Sequence, residues 1–323
     1  LEIGEGVFDE RGKVVALEGI VIDISEQKKY ENLLVYKSEH DRRTGLLNLY
    51  YLENLLTDAS QKGNVNKSAL VDINMAATQL LTKAYGFNYT QCLLKKIADA
   101  LSVCCTSRHL LFNIFIDRFV FYLQDYEDKN ELYEFCQIIE RTLEPLLRTE
   151  RVTAAIGVIE IEQGNKLDAD SLLKKLLIAS ERALDMSDKN FDICFYDSAM
   201  EMQVIREEKI KRELAKIAED ETNKGMFLLY QPIFDLKSNK ISAFEALARL
   251  KSEELGLVSP FEFIPIAEKT KLIIPLGQRI IVESLEFLKT LEKNGFDAIS
   301  ISINVSAIQL LQDDFVDNLL KTI

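Results

Sequence analysis

The chain has 323 residues, room for about two domains, and 47% of them are apolar against 28% charged, the balance of an ordinary globular protein with a core of normal size. A net charge of -13, with no run of Lys and Arg, excludes general nucleic-acid binding, because an acidic surface repels phosphate backbones. No apolar run approaches the roughly 20 residues that span a membrane, and no signal peptide opens the chain, so a cytoplasmic location is expected.

Residues 6 to 24 predict a β-hairpin across the turn Asp9-Glu10-Arg11-Gly12, whose glycine can take a positive φ. A polar helix follows, with Ser25 as its N-cap and Glu26 in the first turn. Its thin stripe of Tyr30, Leu33 and Leu34 suits a connector. From Asp41 to Asp197 helical and strand patterns alternate. The strands fall at 68–73, 110–116, 118–123, 152–161 and 192–196. A charged helix over 200–221 carries Ile205, Ile210, Leu214 and Ile217 on one face and ends at Asn223-Lys224-Gly225. Strands at 227–236 and 241–250 are joined by a loop short enough to require an antiparallel pair. A helix-rich stretch runs from Pro260 to Lys293, residues 299–305 alternate apolar and polar, and a last helix leads toward Ile323.

The five cysteines, Cys92, Cys104, Cys105, Cys136 and Cys194, form no Cys-x-x-Cys pair, and His40 and His109 are the two histidines, so buried free thiols are expected and a zinc site is not. The chain begins at Leu1 and stops inside an apolar pattern at Ile323, as a piece of a longer protein would.

Three stretches resemble known families. Glu18-Gly19-Ile20-Val21-Ile22-Asp23-Ile24-Ser25-Glu26 resembles the end of a PAS domain. His40-Asp41-Arg42-Arg43-Thr44-Gly45-Leu46-Leu47-Asn48 resembles the opening of a GGDEF domain, and Ala154-Ala155-Ile156-Gly157-Val158 resembles a late strand of the same family. Tyr230-Gln231-Pro232-Ile233, Phe244-Glu245-Ala246-Leu247-Ala248-Arg249, the stretch 259–268 and Asn304-Val305-Ser306 resemble, in order, the start of an EAL domain. The family's Trp after the Arg is Leu250 here, and its His-Pro is replaced around Ser252-Glu253.

The resemblance implies an α/β and α+β chain. Residues 1–26 end a PAS domain, 27–40 form a connector helix, and 41–197 form a degenerate GGDEF-like, nucleotidyl-cyclase-like domain with a mainly antiparallel central sheet. Residues 198–224 form a linker helix and 225–323 the first part of an EAL-type modified (β/α)8 barrel. The cyclase signature hairpin aligns with Phe115-Ile116-Asp117-Arg118-Phe119. Phe115 and Ile116 replace glycines that admit phosphate, and Arg118 replaces an acidic metal ligand, which puts a cation where a cation should bind. Asp72 survives at the other metal position and, alone, reads as a solvated or capped carboxylate. The guanine-reading positions fall near Thr82 and Gln91, and Thr106-Ser107-Arg108-His109 stands where the inhibitory site would be, with His109 as a strand-edge surface residue. Diguanylate cyclase activity is therefore not expected, while GTP binding stays open.

In the EAL-like segment, Glu245, Leu247 and Arg249 at i, i+2 and i+4 share one strand face, and Ser302, Asn304 and Ser306 share another. By resemblance, Glu245 and Asn304 would ligate Mg2+ or Mn2+, and Gln231, Leu247 and Arg249 would contact cyclic di-GMP. The structural alternative is an exposed Glu245–Arg249 strand pair with Asn304 capping a turn. The resemblance implies a fragment of a bacterial cyclic di-GMP phosphodiesterase regulated by a catalytically dead GGDEF domain, inactive alone, from a homodimeric parent. The alternative is a receptor or scaffold that only binds nucleotide or protein.

Overall fold

The structure is a computed structural model that describes residues 2–61, 67–75, 78–161, 168–185, 191–220 and 222–322; Leu1, Glu221 and Ile323 lie outside the described residues. The chain divides into two compact units, residues 1–200 and 201–323.

The first unit opens with an antiparallel hairpin, β1 (Glu2–Phe8) and β2 (Val14–Val21). Gly12 takes φ +74° in its turn, and Asp9 Oδ1 accepts the N–H groups of Arg11 and Lys13. Helix α1 (Ser25–Glu39) buries none of its residues. Ser25 is its first residue rather than its cap. The N-cap is Ile24, whose apolar side chain cannot cap, and Asp23 Oδ1 accepts the Ser25 N–H at 2.8 Å.

A six-stranded sheet follows, built from β3 (Leu47–Asn48), β4 (Ser68–Met75), β5 (His109–Phe115), β6 (Arg118–Gln124), β7 (Ala154–Ile161) and β8 (Phe191–Phe195). Its order is β3-β5-β6-β4-β7-β8. The three inner pairings are antiparallel and the two outer ones parallel. Every residue of β4 is buried, as its near-continuous apolar run requires of a strand covered on both faces. Ala69, Val71 and Ile73 face a core shared with α4 (Phe87–Ser102) and α5 (Lys129–Glu150). Leu70 faces a second core shared with α2 (Leu49–Gln61) and α6 (Ala169–Asp185). Asp72 has the parity of Leu70 and so points toward α6. A short α3 (Thr78–Tyr85) precedes α4.

The second unit starts within α7 (Ser198–Glu219), which buries Ile210, Leu214 and Ile217 and leaves Ile205 exposed, outside the packed stripe. The long strand β10 (Lys240–Ser252) pairs antiparallel with β9 (Met226–Asp235) and β11 (Gly256–Val258) and parallel with β12 (Ser300–Ile303). Helices α8 (Pro260–Lys269) and α9 (Ile273–Lys293) cover one face. Phe287 of α9 stacks on Tyr230 at 3.7 Å and meets Phe244 edge-on at 5.5 Å. Ser259 and Pro260 start α8 as N-cap and N1, a pairing suited to a helix entry. The chain continues into α10 (Ala307–Leu310) and α11 (Phe315–Thr322).

Of the cysteines, Cys136 alone is buried; Cys92 and Cys105 are exposed, which corrects the expectation of buried thiols. No helix among the described residues is long and apolar enough to cross a membrane.

Candidate functional site

The β5–β6 hairpin carries the first constellation. Phe115 and Ile116 stay exposed at its tip, while Phe119 is fully buried. The Asp117 carbonyl accepts the Met75 N–H at 3.0 Å, and its carboxylate accepts the Thr78 hydroxyl at 2.8 Å, tying the tip to the start of α3. Behind the tip, Arg118 Nη1 donates to Asp72 Oδ2 and to Ser180 Oγ, both at 2.8 Å, and Nη2 donates to Glu181 Oε1 at 3.1 Å.

Asp72 is fully buried, not solvated as expected from sequence. Burial pushes its carboxyl up to about 6, more than the neighbouring Arg118 guanidinium and the hydrogen bonds pull it down. Its Oδ1 has no partner among the described residues. Backbone proximity explains the arrangement. A Cβ on Gly157 of β7 would lie 2.4 Å from the Ser180 backbone nitrogen, so the glycine lets α6 press onto the sheet and deliver Ser180 and Glu181 to the guanidinium. Sequence reasoning missed these two partners; the glycine in an otherwise apolar buried strand was the available signal.

Nearby positions are structurally committed. The Thr82 hydroxyl bonds the Thr78 carbonyl at 2.9 Å and the Thr90 hydroxyl at 3.0 Å, while Gln91 is exposed. Arg108 Nη1 reaches the Asp125 carbonyl at 3.4 Å. His109 is half-buried, its ring 4.7 Å from that of Phe135, and burial lowers its pKa, so the surface assignment is corrected. The Asp72 site already holds a guanidinium, and a divalent cation does not fit beside it.

The second constellation lies on the sheet of the second unit. Phe244, Ala246 and Leu250 are turned toward the helices, so Glu245, Leu247 and Arg249 occupy the opposite face. In register, Gln231 is directly opposite Glu245 on β9, and Ser302 is beside Glu245 on β12. Asn304 follows the end of β12, and its Nδ2 donates to Glu245 Oε1 at 2.8 Å. Arg249 Nη1 turns back to the Ala248 carbonyl at 2.9 Å. Ser306 does not join this face. It caps α10 in a capping box with Gln309, and its hydroxyl donates to Glu268 Oε1 at 2.5 Å. A Cβ on Gly277 would lie 2.0 Å from Gln309 Nε2, so that glycine makes room for the capping side chain.

Glu245 and Asn304 bring a carboxylate and an amide together, hard oxygen donors of the kind Mg2+ and Mn2+ take. They fit part of a coordination shell. Among the described residues no group of three or more His, Cys, Asp or Glu gathers to complete one.

The two constellations sit in two domain types. Residues 38–188 match the family model for the diguanylate cyclase GGDEF domain, and residues 214–323 match that for the EAL domain. The two matches follow one another along the chain and support a cyclic di-GMP signalling protein. It is 24% identical over 290 residues to the bifunctional diguanylate cyclase/cyclic di-GMP phosphodiesterase MucR of Pseudomonas aeruginosa, covering 88% of this chain and 42% of that one. It is 24% identical over 300 residues to the cyclic di-GMP phosphodiesterase PdeR of Escherichia coli, covering 89% and 43%. The chain thus spans under half the length of these relatives. In fold it is similar to the S helix-GGDEF-EAL portion of Vibrio cholerae LapD bound to c-di-GMP, at a TM-score of 0.56 and 15% identity over 91% of this chain and 68% of that one.

Proposed function

We propose that this chain is part of a cytoplasmic cyclic di-GMP phosphodiesterase in which a GGDEF-type domain without cyclase activity regulates the EAL-type domain. Residues 1–26 would end a PAS domain, 27–40 connect it, 198–224 link the two catalytic-type domains, and the parent would be a homodimer. The observation that carries the reading is the Glu245–Asn304 contact across β10 and β12, on the face shared with Leu247 and Arg249 and facing Gln231. Glu245 and Asn304 would hold Mg2+ or Mn2+, which when bound would make water a stronger nucleophile toward a phosphodiester. Gln231, Leu247 and Arg249 would hold the dinucleotide, with Arg249 released from its own strand to meet a phosphate.

The cyclase side of the reading rests on Arg118. Its guanidinium fills the position beside Asp72 that a metal would need. GTP binding without turnover stays within this reading.

A receptor or scaffold that only binds nucleotide or protein is the second reading, motivated by the lack, among the described residues, of a group of three or more His, Cys, Asp or Glu around Glu245. One experiment separates the two. The full-length parent, supplied with Mn2+ and cyclic di-GMP, should yield linear dinucleotide, and Glu245→Gln should abolish the product. Tight cyclic di-GMP binding with no product in the parent would establish the receptor and overturn the enzyme. The same preparations should make no cyclic di-GMP from GTP.

A further inference from the structure

At the end of the first unit's sheet away from the 115–119 hairpin, a cleft of about 1160 Å3 opens beside the last residues of β7 and β8. Strand β4 separates the two ends by roughly 23 Å at about 3.3 Å per residue. Lys67 precedes β4, Lys129 opens α5, and Lys175 lies on α6, and all three line the cleft. Each ammonium rests over an aromatic ring. Lys67 Nζ is 4.6 Å from the Tyr126 centroid, Lys129 Nζ 4.6 Å from that of Phe195, and Lys175 Nζ 5.7 Å from that of Tyr196. Lys67 also donates to the Glu127 carbonyl at 2.5 Å. A ring face attracts a cation without neutralising it. None of the three is in an ion pair among the described residues, in a chain with 52 acidic side chains to 39 basic ones.

Three carboxylates also line the cleft, so formal charges balance, but none of them is ion-paired with the three ammoniums. Glu160 accepts the Tyr126 hydroxyl at 3.0 Å. Asp168 accepts the Ser171 N–H at 3.3 Å and Asp197 the Ala199 N–H at 3.0 Å, each capping the helix it precedes. These acids are committed to their own helix ends and to a phenol. Apart from the Lys67 bond to Glu127, the ammonium groups meet ring faces and make no hydrogen bond among the described residues.

We propose that this cleft binds a small polyanion through a polyphosphate group, free or carried by a nucleoside. Lysine is a point-charge phosphate binder, and a chain of phosphates presents enough oxygens to meet three separated ammoniums, which one carboxylate cannot. The volume far exceeds what inorganic phosphate needs and lies just above the roughly 300–1,000 Å3 of small-molecule sites, room enough for a polyphosphate with or without a nucleoside. The inference does not depend on the function proposed above, since it uses none of the residues of either constellation.

The test is calorimetric titration of the full chain with inorganic triphosphate in the presence of EDTA. A single site is expected, weakened at least about tenfold in Lys129→Met/Lys175→Met and restored in Lys129→Arg/Lys175→Arg. The pair Lys83→Met/Lys96→Met, exposed lysines outside the cleft with the same change in net charge, should leave affinity unchanged. No heat at millimolar triphosphate, or equal weakening by the two methionine pairs, would overturn the site. Comparing ADP with pyrophosphate identifies the source: tighter ADP binding assigns a nucleotide, equal affinity a free polyphosphate.

Discussion

Arg118 holds the fully buried carboxylate of Asp72 at 2.8 Å, across the β4–β6 pairing, and shares the same Nη1 with Ser180. A guanidinium thus occupies the space beside Asp72, held there from β4 and from α6. Breaking a buried pair from one side leaves a charge without its counterion, which is costlier than the pair itself is stabilising. Arg118→Ala should therefore lower the unfolding free energy by about 3–5 kcal/mol. The double variant Asp72→Leu/Arg118→Met should recover most of the loss. Denaturant titration of the three proteins checks this; a single-variant loss under about 1 kcal/mol would contradict it.

The same carboxyl sets a pH dependence. Its folded value, about 6, lies above the ordinary 3.8, so the folded state binds the proton more tightly than the unfolded chain. The contribution is fully present below the unfolded value and is lost as pH rises through about 6. Asp72→Asn lacks this loss. Its thermal midpoint, relative to that of the parent chain, should climb between about pH 4 and about pH 6 and then level off. A constant difference across that window would show that Asp72 titrates normally.

Gly157 is a packing requirement. The Cβ of Gly157→Ala would meet the Ser180 backbone, which cannot step aside as a side chain can, so α6 must move off the sheet. A loss of about 1–3 kcal/mol is expected from such overpacking, with weakened protection of β7 amides in hydrogen exchange. Unchanged stability would mean that α6 tolerates the shift.

Much of this was legible in the sequence, for identifiable reasons. The buried strand β4 announced itself by its apolar run, and β9 and β10 by the short loop between them. Strands β3 and β11 have two and three residues and leave no pattern to read. The shared face of Glu245, Leu247 and Arg249 followed from strand parity, because alternation fixes the face of every residue once one is known, and Asn304, one residue past the end of β12, still reaches Glu245. Ser306 escaped that rule since β12 ends at Ile303 and the chain turns into a capped helix. The Asp72–Arg118 contact bridges 46 positions, and its other partners come from a helix more than 60 positions beyond Arg118, which no local pattern records.

Glu245 and Asn304 should matter to ligand binding far more than to folding. Their hydrogen bond is exposed, so Asn304→Ala should change stability by no more than about 0.5 kcal/mol. Mn2+ binding by the parent protein, followed by the loss of its free-ion paramagnetic resonance signal, should weaken at least about tenfold in the same variant. Equal Mn2+ affinity would remove Asn304 from the proposed coordination shell.

The guanidinium beside Asp72 also ties the two positions together in any change of sequence. Replacing Arg118 by an acid in one step would set a second carboxylate against a buried one, with no cation between them. Positions 72 and 118, 46 residues apart in the chain, are thus free to vary only as a pair, and a substitution at either is judged by the charge that stands at the other.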